Sequence, residues 1–493
     1  MKQVYLDLIL CLLLLTGCTQ KQAKFSGLKL HLSAEPATLN PSAFEDGHGL
    51  KVLANIVDPL FENDQSGTLK LLSAKDFSII DNGKRIIIHI KDGLKWSDGS
   101  FVKSDDFQFG IERAIDPKRS GKQAHLFKAL KSIETPDAKT IIFNLNEPSP
   151  YFLKTLSLPV SPLPKNWFMS QSSERGWSID MPTNGPYYVS NYQKGQWIDL
   201  KENLHYGILT RKPKSKEIRW IIVQDEQTAS QLFRSGGIDI LTRVPSFEVK
   251  KFKAENTLNV SPFAATFYIG FNLNKAPSNN VNFRKLFAEA IDPEAVVSLI
   301  EGFDTPATSW LPPGFEGSNF QPKKTSQRLH SKDYPGVELS FDSSLKNQTI
   351  SEFIQSQVLK KTKISITLSP ADWKTHLSKL NAGATAVFRF AWQAPFSDPI
   401  PHLEVFTTNN PNNKTGWSSK SYDDLIAKIR KTPSGNARVT LIHSALKILL
   451  DDERVIIPVY HYKQLHAVST KVKGFSVNPF SIIPIHNLEI TKP

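Results

Sequence analysis

The sequence predicts an α/β protein with two or three lobes. Short apolar runs, typical of buried strands, alternate with amphipathic helical segments along most of the chain, and this alternation favours α/β lobes. The chain has 493 residues, of which 40% are hydrophobic, and this content is enough for large cores. No internal repeat and no low-complexity segment breaks the pattern.

The first residues predict export from the cytoplasm. Lys2 precedes an apolar run at residues 8–15 that is too short to span a bilayer, and the run leads into a Leu-Thr-Gly-Cys box that ends at Cys18. We interpret residues 1–17 as a bacterial lipoprotein signal peptide, Cys18 as the lipidated residue and residues 18–26 as a polar tether. The protein is then expected in the cell envelope, anchored by lipid on the periplasmic side or at the surface of a single-membrane bacterium. An uncleaved anchor is the alternative, and it also places the working chain outside the cytoplasm.

Cysteine content and charge narrow the class of protein further. The two cysteines are Cys11, which lies in the predicted leader, and Cys18, so we expect no disulfide in the mature chain. The 60 basic and 47 acidic residues give a formal net charge of +13. These charges are spread along the chain, and no zinc-finger or RNP pattern occurs, which argues against nucleic-acid binding. We expect a basic surface near an anionic membrane, or a preference for anionic ligands.

Hydrophobic periodicity and turn residues predict the order of the elements. Predicted strands lie at residues 28–32, 85–90, 140–145, 238–240, 267–272, 337–341, 363–368, 385–390, 455–460 and 482–490. Predicted helices lie at residues 50–57, 104–113, 283–290, 293–300 and 437–450, and a further helix ends before residue 236. Ser104 is the expected N-cap of the second helix, and the proline-rich residues 159–164 are expected to cross between lobes.

The predicted strand at residues 385–390 ends in a rigid loop. Two prolines and a Ser-Asp-Pro turn follow it at residues 395–399 and forbid regular structure. Arg389, Trp392 and Phe396 give this segment one cation and two large aromatic side chains. The segment is either a packed strand end with a buried Trp and a solvated Arg, or part of a binding site.

Enzymatic motifs are absent from the sequence. It contains no His-Glu-x-x-His, no Gly-x-Ser-x-Gly and no Gly-Lys-Ser/Thr phosphate loop. The adjacent carboxylates Asp423-Asp424 and Asp451-Asp452 fall at a helix start and a helix end, where a solvated face or a cap explains them. No histidine spacing requires a metal. We therefore expect no catalysis, no cofactor and no metal.

Several short motifs carry a resemblance to a known family. They follow one another along nearly the whole predicted mature chain at residues 35–41 (EPATLNP), 94–99 (LKWSDG), 184–187 (NGPY), 237–240 (GIDI), 270–272 (GFN) and 457–460 (IPVY). In this order the motifs make the sequence resemble the family 5 extracellular solute-binding proteins. Those proteins are the dipeptide and oligopeptide receptors of ABC importers.

The resemblance implies a clamshell fold of the periplasmic-binding-protein type (class II, cluster C). Two main lobes are expected, with an extra subdomain inserted in the first. On this chain lobe I maps to residues 27–60, 165–263 and 464–493, the inserted subdomain to residues 61–164 and lobe II to residues 264–463. The implied function is the capture of an oligopeptide in the cleft between the lobes and its delivery to an ABC transporter permease. We expect the protein to act as a monomer.

The resemblance also assigns ligand-binding residues to the segment after residue 388. Arg389 matches an Arg that helps to hold the ligand carboxylate in the family, and Trp392 matches a Trp of the same block. The family has an Asp after this Trp that pairs with the α-amine of the ligand, but Pro395 stands at that place here. A buried ammonium without a counterion costs several kcal/mol, so either another carboxylate replaces this Asp or the amine is not held there.

Glu45 and Asp398 are the candidates for the missing carboxylate. Glu45 matches a cleft-facing Glu of the family, and Asp398 is close in sequence, although a turn or N-cap role explains Asp398 equally well. Arg243 falls near another cleft position of the family, and together with Arg389 it would favour an anionic ligand. Phe396 completes the expected set of ligand-binding residues.

Other ligands remain open at this point. A cell-wall muropeptide fits the two arginines, because such peptides carry additional carboxylates and their amine end can be linked to sugar. A metal chelate is a further alternative, and so is an envelope adhesin or scaffold without a transport role.

Overall fold

The computed structural model describes residues 25–44, 46–119, 123–170, 177–300, 303–323 and 334–491. The predicted signal peptide, the predicted lipidation site Cys18 and the candidate Glu45 lie outside the described residues. Within the described ranges, no helix combines the length and the apolar character that a membrane crossing requires.

Strands and helices alternate along the described chain. The strands are β1 (Leu28–Leu32), β2 (Phe61–Asn63), β3 (Leu69–Leu71), β4 (Ala74–Ile80), β5 (Arg85–Ile90), β6 (Leu130–Glu134), β7 (Thr140–Leu145), β8 (Tyr187–Gln193), β9 (Trp197–Glu202), β10 (Glu217–Ile222), β11 (Ile240–Leu241), β12 (Leu258–Phe271), β13 (Thr305–Pro306), β14 (Val337–Asp342), β15 (Ile366–Ala371), β16 (Val387–Gln393), β17 (Ile456–Val468), β18 (Val472–Lys473) and β19 (Glu489–Ile490). The α-helices are α1 (Gly47–Leu53), α2 (Ser104–Ile115), α3 (Phe152–Thr155), α4 (Lys165–Ser170), α5 (Glu226–Arg234), α6 (Val249–Ala254), α7 (Val281–Ala290), α8 (Pro293–Leu299), α9 (Leu345–Thr362), α10 (Trp373–Asn381), α11 (Ile400–Leu403), α12 (Lys420–Lys431) and α13 (Asn436–Lys447).

One mixed sheet joins most of these strands. Its order is β15-β14-β16-β12-β17-β11-β1-β10-β9-β8, with β13 beside β17. The strands β1, β10 and β11 are parallel to one another, and so are β14, β15 and β16. The antiparallel pair β12 and β17 lies between the two parallel groups. We call the half of the sheet with β1 lobe I and the half with β14 lobe II.

The long strands β12 and β17 connect lobe I to lobe II. The register of their pairing shifts between Pro262 and Thr266, about halfway along both strands. An irregularity of this kind bends a strand and increases its local twist. The boundary between the lobes that the resemblance implies, at residues 263–264 and 463–464, falls at this shift and remains a proposal.

A second sheet forms within residues 61–164, the segment that we call the inserted subdomain. This sheet is antiparallel, with the order β4-β5-β7-β6, and α2 packs against it. In β5 the buried residues Ile86, Ile88 and Ile90 alternate with more exposed residues, and they share a core with Phe107 of α2. This alternation is the pattern of an antiparallel sheet with one covered face.

The motif at residues 184–187 holds the segment of lobe I that leads into the inserted subdomain. The side chain of Asn184 accepts a hydrogen bond from the Asp58 N–H (3.0 Å) and donates one to the Asp58 carbonyl oxygen (2.8 Å). The N–H of Gly185 donates to the carbonyl oxygen of Ile56 at 2.9 Å. A Cβ at Gly185 would lie 2.5 Å from the carbonyl carbon of Ile56, so the backbone approach requires glycine.

Several predicted boundaries change in the structure. The helix predicted at residues 50–57 begins at Gly47, because the side chain of Asp46 accepts hydrogen bonds from two N–H groups of its first turn. The helix expected to be capped by Ser104 includes Ser104 and has Lys103 as its N-cap. The prediction of a strand at residues 482–490 is wrong except for residues 489–490, which form β19. The side chain of Asn478 accepts hydrogen bonds from the N–H groups of residues 480 and 482 and so turns that segment.

The close approach at Gly185 gives a stability prediction. Gly185→Ala should lower the free energy of unfolding by about 1–3 kcal/mol, because the added methyl group overpacks against the Ile56 backbone. Gly47→Ala is the matched control, since a Cβ there meets nothing within 4 Å. The control should leave the stability unchanged or slightly raised in urea unfolding followed by tryptophan fluorescence. Equal stability of the two variants would contradict the backbone contact.

Candidate functional site

The carboxyl ends of the parallel strands in the two lobes face each other. β11 is antiparallel to β17, and its continuation approaches lobe II because the Val244 N–H donates to the Leu465 carbonyl oxygen. β1 and β10 are parallel to β11, so all three strands end toward lobe II. β12 runs into lobe II and β16 is antiparallel to it, so β14, β15 and β16 end toward lobe I. Open α/β sheets bind ligands at the carboxyl ends of their strands, and we call the space between these two edges the cleft.

β16 has an unpaired backbone edge where it reaches the cleft. β14 pairs with only the first two residues of β16, and no other described strand pairs with β16 on that side. On the other side, the Ala394 N–H donates to the Ala264 carbonyl oxygen of β12. Backbone groups of successive residues in a strand point to opposite sides, so the N–H and C=O groups of Ala391 and Gln393 point away from β12. These four groups have no partner among the described residues.

Aromatic side chains flank this unpaired edge. Trp373, at the start of α10, is 51% exposed and stacks on Phe390 of β16 with 5.8 Å between the ring centroids. Trp392 is half-buried, and its Nε1 has no hydrogen-bond partner within the described part of the chain. Exposed aromatic surface beside a free strand edge suits the side chains of an extended peptide. Trp392 was predicted from the sequence, whereas Trp373 was not, because its local sequence gives no sign that α10 begins at the cleft.

Arg389 lies at the lobe II edge of the cleft, but it already has a counterion. Its guanidinium forms an ion pair with Asp342, the last residue of β14, and donates a hydrogen bond to the Tyr462 hydroxyl at 2.7 Å. It also lies over the ring of Phe267, 4.8 Å from the centroid. Because Asp342 neutralises the charge, Arg389 attracts a ligand carboxylate less strongly than the resemblance implies. No local pattern in the sequence pointed to Asp342 as its partner.

Arg243 lies at the lobe I edge, directly after β11. Its side chain is 65% exposed, and its Nε lies 3.0 Å from Oε1 of Glu226, the first residue of α5 after β10. An ion pair this exposed contributes little to stability. Arg243 is therefore exposed enough to contact a ligand, although Glu226 partly neutralises its charge.

Phe396 and Asp398 are buried in the fold instead of lining the cleft. Phe396 is 1% exposed and stacks on Tyr151 of the inserted subdomain, with 6.4 Å between the ring centroids. Asp398 is equally buried, and its carboxylate binds Arg438 at 2.8 Å and Lys154 at 3.1 Å. These contacts argue against the expectation that Asp398 replaces the amine-binding aspartate, because two cations of the protein already bind its oxygens. Phe396 packs the loop against the inserted subdomain.

Another cavity and the polar clusters of the described residues are weaker candidates for a ligand-binding site than the cleft. A cavity of about 200 Å³ lies between lobe I, the inserted subdomain and the C-terminal segment, and Glu62, Arg211 and His486 are among its lining residues. Arg211 there forms a structural ion pair with the buried Asp58 at 2.7 Å. No group of three or more His, Cys, Asp or Glu side chains within the described ranges has the arrangement to hold a metal ion.

Two α/β lobes joined by two long strands, with a free strand edge in the cleft between them, define a two-lobed solute-binding protein. Residues 68–414 match the family model described as bacterial extracellular solute-binding proteins, family 5, middle region. The chain belongs to this family. The fold is accordingly the α/β clamshell that the resemblance implied.

Similar proteins cover nearly the whole chain. The dipeptide-binding protein DppE of Bacillus subtilis is 26% identical, over 96% of this chain and 95% of its own length. The crystal structure of Haemophilus influenzae OppA in complex with the peptide RPPGFSPFR superposes with a TM-score of 0.80 at 21% identity, covering 95% of this chain and 99% of that one. The murein tripeptide-binding protein MppA of Escherichia coli superposes with a TM-score of 0.81 at 20% identity, covering 96% of this chain and 99% of that one.

The buried ion pairs of Asp398 give a prediction that separates a structural role from a ligand-binding role. Asp398→Ala should lower the free energy of unfolding by about 3 kcal/mol, because it removes one partner of the fully buried Arg438 and leaves only Glu316 beside it. Asp424→Ala is the matched control, since its pair with Lys420 is exposed and should be worth less than about 1 kcal/mol. Urea unfolding measures both. Unchanged stability together with lost ligand binding would indicate that Asp398 binds the ligand.

Proposed function

We propose that this protein is the peptide-binding component of an ABC importer, held in the bacterial cell envelope by lipid on Cys18. The observation that carries the proposal is the unpaired edge of β16 in the cleft, where Ala391 and Gln393 offer two N–H and two C=O groups. An extended peptide can bind such an edge as an added strand. Main-chain pairing of this kind gives affinity without strict choice of sequence.

The comparisons support a peptide as the ligand. DppE of Bacillus subtilis is named for binding dipeptides, and the structure of Haemophilus influenzae OppA holds a nonapeptide. The family is described as solute-binding, and we expect this chain to bind its ligand without catalysis. The exposed face of Trp373 and the half-buried Trp392 would then lie beside the side chains of the bound peptide.

Binding is expected to close the cleft. The connection between the lobes runs through β12 and β17, and the register of their pairing shifts between Pro262 and Thr266 of β12. A ligand that contacts both edges shifts the population toward the closed form, because only that form makes both sets of contacts. The closed, monomeric form would be the one that the permease receives.

The amine end of the ligand is expected to bind differently from the family pattern. Pro395 offers no charge at the position of the amine-binding aspartate, and Asp398 is committed to Arg438 and Lys154. An ammonium placed between the lobes without a counterion would be costly. Peptides whose amine is blocked, or remains in solvent, should therefore bind as well as peptides with a free amine.

The free edge of β16 gives the test of the proposed function. Gln393→Pro removes one N–H donor that points into the cleft and should weaken peptide binding at least about tenfold, the cost of roughly one hydrogen bond left unmade. Gln393→Ala is the matched control, since it keeps the backbone donor and removes only an exposed side chain. Its affinity should stay within about threefold of the wild type, as expected for a surface side chain.

Binding is measured by native mass spectrometry of the domain that starts after Cys18, with peptides of two to six residues, and by calorimetry. Peptide adducts on the wild type and on Gln393→Ala, but fewer on Gln393→Pro, are expected. Equal adducts on all three variants would remove the β16 edge from the site. A wild type that binds no peptide but takes up muropeptides or metal chelates would overturn the choice of ligand.

The lipid anchor has its own test. Cys18→Ser should release the full-length protein from the membrane fraction to the soluble fraction of the cell envelope, because a polar tether without lipid has no membrane affinity. Mass spectrometry of the N-terminal peptide should show the lipid in the wild type only. A membrane-bound Cys18→Ser variant would indicate an uncleaved anchor.

A further inference from the structure

Lys51 is a cation at the lobe I edge of the cleft that has no ion-pair partner among the described residues. It lies on α1, which follows the loop after β1, and it is half-buried. The Ser33 hydroxyl, directly after β1, lies 3.0 Å from Nε2 of His48 on the same helix, which places α1 at the carboxyl end of β1. Besides burial, the charge of the Lys51 ammonium contributes to lowering the pKa of His31 in β1 and the pKa of His466 in β17. No carboxylate of the described residues forms an ion pair with it.

The described neighbours of Lys51 do not supply a counterion. Burial lowers the pKa of His31 to about 4 and the pKa of His466 to about 3, so both imidazoles are neutral at pH 7. Nδ1 of the buried His466 has no hydrogen-bond partner in the described structure. Burial, followed by the charge of Arg243, lowers the pKa of Lys51 to about 8, so most of the ammonium remains charged at pH 7.

Arginine and lysine side chains elsewhere near the cleft have counterions, unlike Lys51. Arg389 pairs with Asp342, and Lys346 at the start of α9 pairs with Asp304 at 2.7 Å. Arg243 pairs with Glu226 on the lobe I edge itself. A charge that is half-buried and without a counterion is destabilised, and an anionic group of a ligand in the cleft would relieve that cost.

We propose that Lys51 is the centre of a carboxylate-binding subsite on lobe I, and that the protein prefers peptides that carry an additional carboxylate. This inference rests on the proposed peptide-binding function and names the class of peptide. The unpaired edge of β16 binds the peptide main chain from lobe II, while Lys51 and the exposed Arg243 meet the acidic group from lobe I. Peptides with a Glu or Asp side chain are the occupants that fit.

The test compares peptides that differ only in charge. Alanine tripeptides and tetrapeptides with Glu at each position in turn are matched with the corresponding Gln peptides, and affinities are measured by calorimetry at pH 7. The wild type should bind the best Glu peptide at least about tenfold more tightly than its Gln counterpart, as expected for a charge-assisted pair in a half-buried site. Lys51→Met should remove this preference and leave the affinity for Gln peptides within about threefold, since main-chain pairing persists.

Two controls keep the result specific. Lys51→Arg keeps the charge and should retain most of the preference for Glu, while Lys420→Met removes an 86% exposed lysine on lobe II and should change nothing. C-terminally amidated peptides test whether the terminal carboxylate is the group that Lys51 binds. A Lys51-dependent loss of affinity on amidation would assign the subsite to that carboxylate. Thermal unfolding of each variant confirms that it is folded.

The outcomes separate this inference from the function on which it rests. If the wild type bound Glu and Gln peptides equally, or if Lys51→Met kept the preference for Glu, the subsite would be refuted while peptide binding would stand. If the wild type bound neither set of peptides, the proposed function would fail and the subsite with it.

Discussion

The pairing of β12 with β17 is the interaction on which the rest of the structure depends. These two antiparallel strands form one sheet with both lobes, and their direction makes the parallel strands of each lobe end at the cleft. A single linker would allow the lobes to rotate and slide freely, whereas two paired crossings restrict them to bending near the register shift. The free edge of β16 arises on its other side, where β14 pairs with only its first two residues.

The motif residues and the cleft residues serve different purposes in this chain. Asn184 and Gly185 hold Asp58 and Ile56, in the segment of lobe I that leads into the inserted subdomain. Such contacts require particular atoms at particular distances, so few substitutions can satisfy them. A peptide main chain, by contrast, needs only backbone groups from the cleft. This difference explains why the motifs identify the family and leave the ligand undetermined.

Local patterns predicted the elements better than they predicted the contacts between them. The apolar run before residue 390 indicated a strand that ends in a rigid loop, and β16 followed by that loop agrees with it. The full lengths of β12 and β17 were missed, because Pro262 and the polar residues near the crossing resemble strand ends. The role of Asp398 depends on Arg438, forty positions later in the sequence, and no local pattern reveals such a pair.

The distribution of charge between the lobes follows from these contacts. The resemblance implied Arg389 on lobe II and Arg243 on lobe I as the cations for the ligand. Asp342 neutralises Arg389 and Glu226 partly balances Arg243, whereas Lys51 on lobe I has no counterion among the described residues. On the proposed arrangement, lobe II binds the peptide main chain and lobe I binds its acidic group. A neutral peptide then gains little from contact with lobe I. An acidic peptide gains a second set of contacts only when the lobes close, so its charge couples binding to closure. The coupling free energy can be no larger than the difference between the binding free energies of the closed and open forms for that peptide.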